Sequence, residues 1–173
     1  MKVKVKYLMI ILMLTQLVSC KVLNSLDDEK NEYTIIKQSQ GDINLDGIAD
    51  LAVLASIENS DKGKIIILIS DSNGFVTKKM ENDNLTDGFV QLYNELPDIE
   101  IKNGEFVVSY YGGMCFRPFR NITFTFNKNL NNLYFDSIEL GGHNVCNESE
   151  YETERKTSAE MRKIDFENFI DEI

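Results

Sequence analysis

Residues 99–111 read IEIKNGEFVVSYY, and this stretch decides the fold class. Ile99 and Ile101 alternate with Glu100 and Lys102, the two-residue period of a strand with one buried face. Asn103-Gly104 then supplies two residues that tolerate positive φ, which the tight two-residue hairpin turn demands. Residues 105–111 return as a second strand rich in β-branched and aromatic side chains. A β-hairpin is the expectation here.

The same grammar extends in both directions. Residues 32–37 mix β-branched and polar side chains and predict a first strand. Residues 51–57 and the run GKIIILIS at 63–70 predict two more, the latter buried by its branched content. Asp71-Ser72-Asn73-Gly74 marks a turn, after which 75–78 returns. NITFTFN at 121–127 and LYFDSIEL at 133–140 flank a polar turn and predict another pair. Residues 89–92 read equally as a short helix or a strand. The C-terminal segment, 151–173, is ambiguous between a helix and a hairpin pairing 151–153 with 163–166, and pairing is preferred. No tandem period is present, which excludes a full propeller or solenoid. The expected fold is mainly β: one small antiparallel β domain, like a single propeller blade or a sandwich, over residues 34–173.

The acidic run GDINLDGIADLAVLA, 41–55, is the strongest functional signal. It sets Asp42, Asn44, Asp46 and Asp50 at loop positions 1, 3, 5 and 9, with Gly47 at position 6 and the Ile48 carbonyl at position 7. Calcium takes six to eight oxygen ligands in a compact turn, and this spacing supplies several. Position 12 is Val53 rather than a bidentate glutamate, so an EF-hand helix pair is not expected. The alternative is a polar turn built of Asx hydrogen bonds. The run resembles the calcium loop of FG-GAP and VCBS-type repeats, where a D-x-N/D-x-D-G-x-x-D-L sequence joins two strands. The resemblance implies a Ca²⁺ site of Asp42, Asn44, Asp46, Ile48 and Asp50 at 42–50, and it covers only this stretch.

The N-terminus combines Lys2, Lys4 and Lys6 with an apolar core and Leu17-Val18-Ser19-Cys20. It resembles a lipoprotein signal: residues 1–19 form the signal peptide, Cys20 carries the lipid, and 20–33 is a flexible tether. Localisation then follows as the cell envelope, anchored to the outer membrane on its periplasmic or surface face. A short membrane anchor or an ordinary signal peptide is the alternative. With Cys20 acylated, Cys115 and Cys146 remain. Each follows a double glycine, in GGMC and GGHNVC, and two similar loops in an oxidising compartment predict one disulfide, with free thiols as the alternative. His143 is the sole histidine, too few for a Cys/His zinc site.

The chain carries a net charge of −10, and loss of the three signal lysines leaves −13. Nucleic acid is therefore not an expected partner, since it is bound by neutralising phosphates. A cationic protein is permitted. No HExxH, GxSxG or P-loop is present, and no carboxylate spacing singles out a glycosidase pair, so no catalytic residue is expected. The combination of lipobox, one FG-GAP-like loop and a compact β domain resembles bacterial periplasmic proteins related to invertebrate-type lysozyme inhibitors. That resemblance implies an immunity-type inhibitor of a peptidoglycan hydrolase, and the alternative is a calcium-stabilised adhesion or glycan-binding module. Tyr110, Tyr111 and Met114 are the candidate partner contacts, with Arg117 and Arg120 as rim charges or salt-bridge partners.

Overall fold

The computed structural model describes residues 33–57, 63–87, 96–146, 149–157 and 161–170, with only the backbone described over 149–152. The expected signal, Cys20, most of the expected tether and residues 89–92 lie outside these. Two antiparallel sheets make up the domain, each a meander in which sequence neighbours pair. The first holds β1 (Tyr33–Gly41), β2 (Asp50–Ile57), β3 (Gly63–Ser70) and β4 (Val76–Asn82). The second holds β5 (Asp98–Lys102), β6 (Glu105–Tyr111), β7 (Phe116–Asn127), β8 (Asn132–Asn144) and β9 (Ser149–Lys156). The expected small antiparallel β domain is what the chain forms, with two sheets rather than a single blade.

The hairpin of 99–111 pairs Ile101 with Phe106 and Ile99 with Val108. Asn103 and Gly104 take φ of 53° and 81°, as the turn requires. Alternation carries Phe106, Val108 and Tyr110 of β6, with Ile122 and Phe124 of β7, into the space between the sheets. There they meet Ala52 and Leu54 of β2, Ile65, Ile67 and Ile69 of β3, and Met80 of β4. The intervening side chains of β2 and β3, Leu51, Val53, Ala55, Ile66 and Leu68, are buried as a second cluster, which accounts for the unbroken apolar run of β3. Tyr33, where the expected tether and first strand overlap, opens β1, and its hydroxyl accepts a hydrogen bond from Lys64 Nζ at 3.3 Å.

The C-terminal segment corrects its expectation in part. β9 is a strand, but it pairs with β8 from Ile138 to Asn144 rather than with 163–166. Beyond β9 the chain makes a 3-10 turn, Met161–Lys163, and lays 164–166 along the stretch of β8 that β9 leaves open. Phe135 N–H donates to Ile164 O at 3.0 Å and Phe166 N–H to Leu133 O at 2.9 Å. Phe166 and Phe169 enter the core edge-on to Phe124. Asn82 at the end of β4 holds this tail by donating to the carbonyls of Phe166 and Phe169.

The double glycines are not equivalent loops. Gly112-Gly113 lies in the turn after β6, whereas Gly141 and Gly142 lie within β8, paired with Phe119 and Pro118. A Cβ on Gly141 would stand 2.5 Å from Phe119 Cζ, and one on Gly142 would stand 2.8 Å from Phe116 Cζ. These glycines are seats for rings from the neighbouring strand.

Candidate functional sites at the two ends of the domain

The acidic loop joins β1 to β2 and closes on its own backbone. Asp42 accepts the N–H groups of Asp46 at 3.0 Å and Gly47 at 2.7 Å. Asn44 Oδ1 accepts Asp46 N–H at 3.1 Å, and Asp46 Oδ1 accepts Ile48 N–H at 2.8 Å. Asn44 Nδ2 donates to the other Asp46 oxygen at 2.9 Å. Leu45 at φ 56° and Gly47 at φ 86° make the sharp bends. These are the Asx bonds of a polar turn.

Asp50 behaves differently. Its carboxylate is fully buried and accepts Ile43 N–H at 2.9 Å and Ser70 N–H at 3.0 Å, tying the loop to the end of β3. Burial raises its pKa to about 6, assisted by the nearby charge of Asp46 and opposed by the backbone donors.

The donors are all oxygen, which suits a hard cation such as calcium and not zinc. A carboxylate has about four acceptor positions and none of these uses all of them, so these bonds and a cation are chemically compatible. Among the described residues, however, no group of three or more His, Cys, Asp or Glu side chains lies close enough to hold a metal ion in this conformation. Asp42, Asn44 and Asp46 stay within the turn while Asp50 faces the sheet. The loop is braced from outside by Lys128 Nζ, which donates to Leu45 O at 3.1 Å, and by the Asn103-Gly104 turn, where a Cβ on Gly104 would reach Leu45 at 2.8 Å.

The opposite end of the five-stranded sheet carries the disulfide. Cys115 and Cys146 are bonded, their Cα atoms 5.2 Å apart, and Val145 N–H donates to Cys115 O at 2.8 Å. The bridge clamps the turn after β6 to the end of β8. Met114 is 89% exposed and Tyr111 and Phe116 are each 44% exposed, leaving large apolar groups on a tied tip. Arg117 Cζ lies 5.9 Å from the Tyr111 ring centroid, and Arg117 Nε donates to Met114 O at 3.3 Å. On the same face His143 stacks on Tyr111, with Nε2 3.0 Å from the phenol oxygen. The phenol donates there when the ring proton is on Nδ1.

Two candidate contacts are corrected. Tyr110 is 2% exposed and gives its hydroxyl proton to Leu85 O, so it belongs to the core and offers nothing to a partner. Arg120, opposite Tyr110 in the ladder, is likewise buried and is no rim charge. Phe116 and His143 were not among the predicted contacts. Phe116 follows Cys115 directly, which was the available signal, whereas His143 reaches Tyr111 only through the pairing of β8 with β7.

The acidic loop and the tip are far apart. The loop sits beside the β5–β6 turn, and β6 runs from there to Tyr111, roughly 20 Å at 3.4 Å per residue. Among the described residues no helix is long and apolar enough to cross a membrane. No protein-family model, curated protein or solved structure matches this chain.

Proposed function

We propose that this protein is an envelope-anchored binding lipoprotein, held by lipid on Cys20, that blocks an exported peptidoglycan hydrolase in the manner of an immunity protein. The observation that carries the reading is the tip: exposed Met114, Phe116 and Tyr111 held rigid by the Cys115–Cys146 bridge and the Arg117–Tyr111–His143 contacts. Aromatic and methionine side chains on a pre-ordered turn contribute contact area at low entropic cost. The acidic chain favours a basic partner, as exported hydrolases often are, because opposite charge speeds association. Calcium in the 42–50 loop steadies the β1–β2 connection and performs no chemistry. The test is capture of muramidases from a panel by immobilised protein. Retention lost on Met114→Asp and Phe116→Asp supports the reading, and failure of every hydrolase to bind removes it.

A second reading rests on the sheet face that adjoins the tip, where Phe119 pairs with Tyr111. Phe119, whose ring edge closes on Gly141, shares the outward face of the second sheet with Asn121 and Glu139, which are hydrogen-bonded at 3.0 Å. A ring flanked by polar groups suits a glycan. Retention on a peptidoglycan column, lost on Phe119→Ala but not on Met114→Asp, selects it.

A further inference from the structure

Where the C-terminal segment crosses β8, it builds a groove that neither tip nor loop uses. The groove holds about 430 Å³ and is lined by Thr125, Asn127 and Leu130, by Tyr134, Phe135 and Asp136 of β8, and by Arg162 and Lys163 of the 3-10 turn. That volume falls in the range of small-ligand sites, about 300–1,000 Å³. Its cationic wall is fixed rather than loose: Ile164 N–H donates to Met161 O at 2.9 Å, and the adjoining bond from Phe135 N–H to Ile164 O locks the turn to the strand.

The polar groups divide into engaged and available. Asp136 lies 3.4 Å from Arg162 Nη2 and also receives Arg155 Nη2 at 3.1 Å, so one corner of the Arg162 guanidinium is held and the rest of its fork stays available. Among the described residues the Lys163 ammonium meets no carboxylate within ion-pair distance, and the side-chain hydroxyls of Tyr134 and Thr125 make no hydrogen bond. Arg162 and Lys163 face a single carboxylate, Asp136, which Arg155 also holds, so the groove is locally cationic in a strongly acidic chain. Leu130, well exposed, gives the rim an apolar side.

We infer that this groove is a binding site for a singly charged carboxylate bearing a short apolar chain. The carboxylate takes charge-assisted hydrogen bonds from Lys163 and the open side of Arg162, with the Tyr134 and Thr125 hydroxyls as further donors. The apolar chain lies toward Leu130. The apolar side at Leu130 favours a carboxylate with a hydrocarbon tail over a bare phosphate, which has nothing to lay there.

The test is titration of the full chain with hexanoate, hexanamide and inorganic phosphate, followed by amide chemical shifts. Hexanoate is expected to shift the amides around Tyr134 and Lys163 saturably in the millimolar range, with hexanamide and phosphate each about tenfold weaker. Lys163→Gln is expected to weaken hexanoate about tenfold and Tyr134→Phe a few-fold, both with unchanged thermal melts. Absence of a saturable shift, hexanamide or phosphate binding as tightly as hexanoate, or an unaltered affinity in Lys163→Gln would each overturn the assignment.

Discussion

Asp50, at the first position of β2, accepts the backbone N–H of Ser70, at the last position of β3, through a fully buried carboxylate 3.0 Å away. Its second oxygen takes Ile43 N–H, so one side chain fastens the acidic loop to the sheet. Asp50→Ala would strand two buried donors and is expected to cost about 2–4 kcal/mol. Asp50→Asn keeps an acceptor and should cost less. Urea melts of the two variants against wild type measure the difference.

Lys64 provides the pH-dependent element of the first sheet. It donates to Glu81 at 3.0 Å and lies 3.6 Å from Asp83. Burial opposes ionisation of Glu81, but hydrogen bonds and charge from Lys79 and Lys64 prevail and hold its pKa below the usual value of 4.5. A depressed carboxylate contributes stability that is present above the unfolded pKa and lost as pH falls through the folded one. Glu81→Gln should therefore be less stable than wild type at pH 7, and the gap should close below pH 4.5. Melts across pH 7 to 3 check it; a constant gap contradicts it.

The Cys115–Cys146 bridge closes a loop over a sequence separation of 31. In the chain-entropy model its loss costs about 3–4 kcal/mol. The double Ser variant should be less stable by that amount in urea melts. Its tip should also become susceptible to proteolysis near Met114, which limited digestion with mass readout would locate.

Much of this architecture is local and was legible. Ile99–Tyr111 announces its hairpin because alternation and an Asn-Gly turn are both short-range signals, and the same alternation from Phe106 already sends Tyr110 inward. What stayed hidden depends on distant partners. Gly141-Gly142 looks like a turn until Phe119 and Phe116 are placed over it. That Asp50 also fastens the loop to β3 cannot be read until Ser70 is brought beside it. The place of 164–166 along β8 is set by where β9 departs, which no local pattern encodes.

Calcium and partner binding are expected to separate. The loop and the tip sit at opposite ends of the second sheet, so EDTA should lower the melting temperature while leaving partner affinity within about twofold. Calorimetry with and without calcium, paired with affinity measurements in both buffers, tests this. A melt that calcium leaves unchanged would reduce the loop to a polar turn.

The central claim concerns the tip, and inhibition reads it most directly. Muramidase activity is titrated with wild-type protein and with Met114→Asp, whose side chain is exposed and makes no core contact. The account predicts stoichiometric inhibition by wild type, reduced at least tenfold by the variant with no change in its melt. Full activity of every muramidase at saturating wild-type protein, or equal inhibition by Met114→Asp, would contradict it.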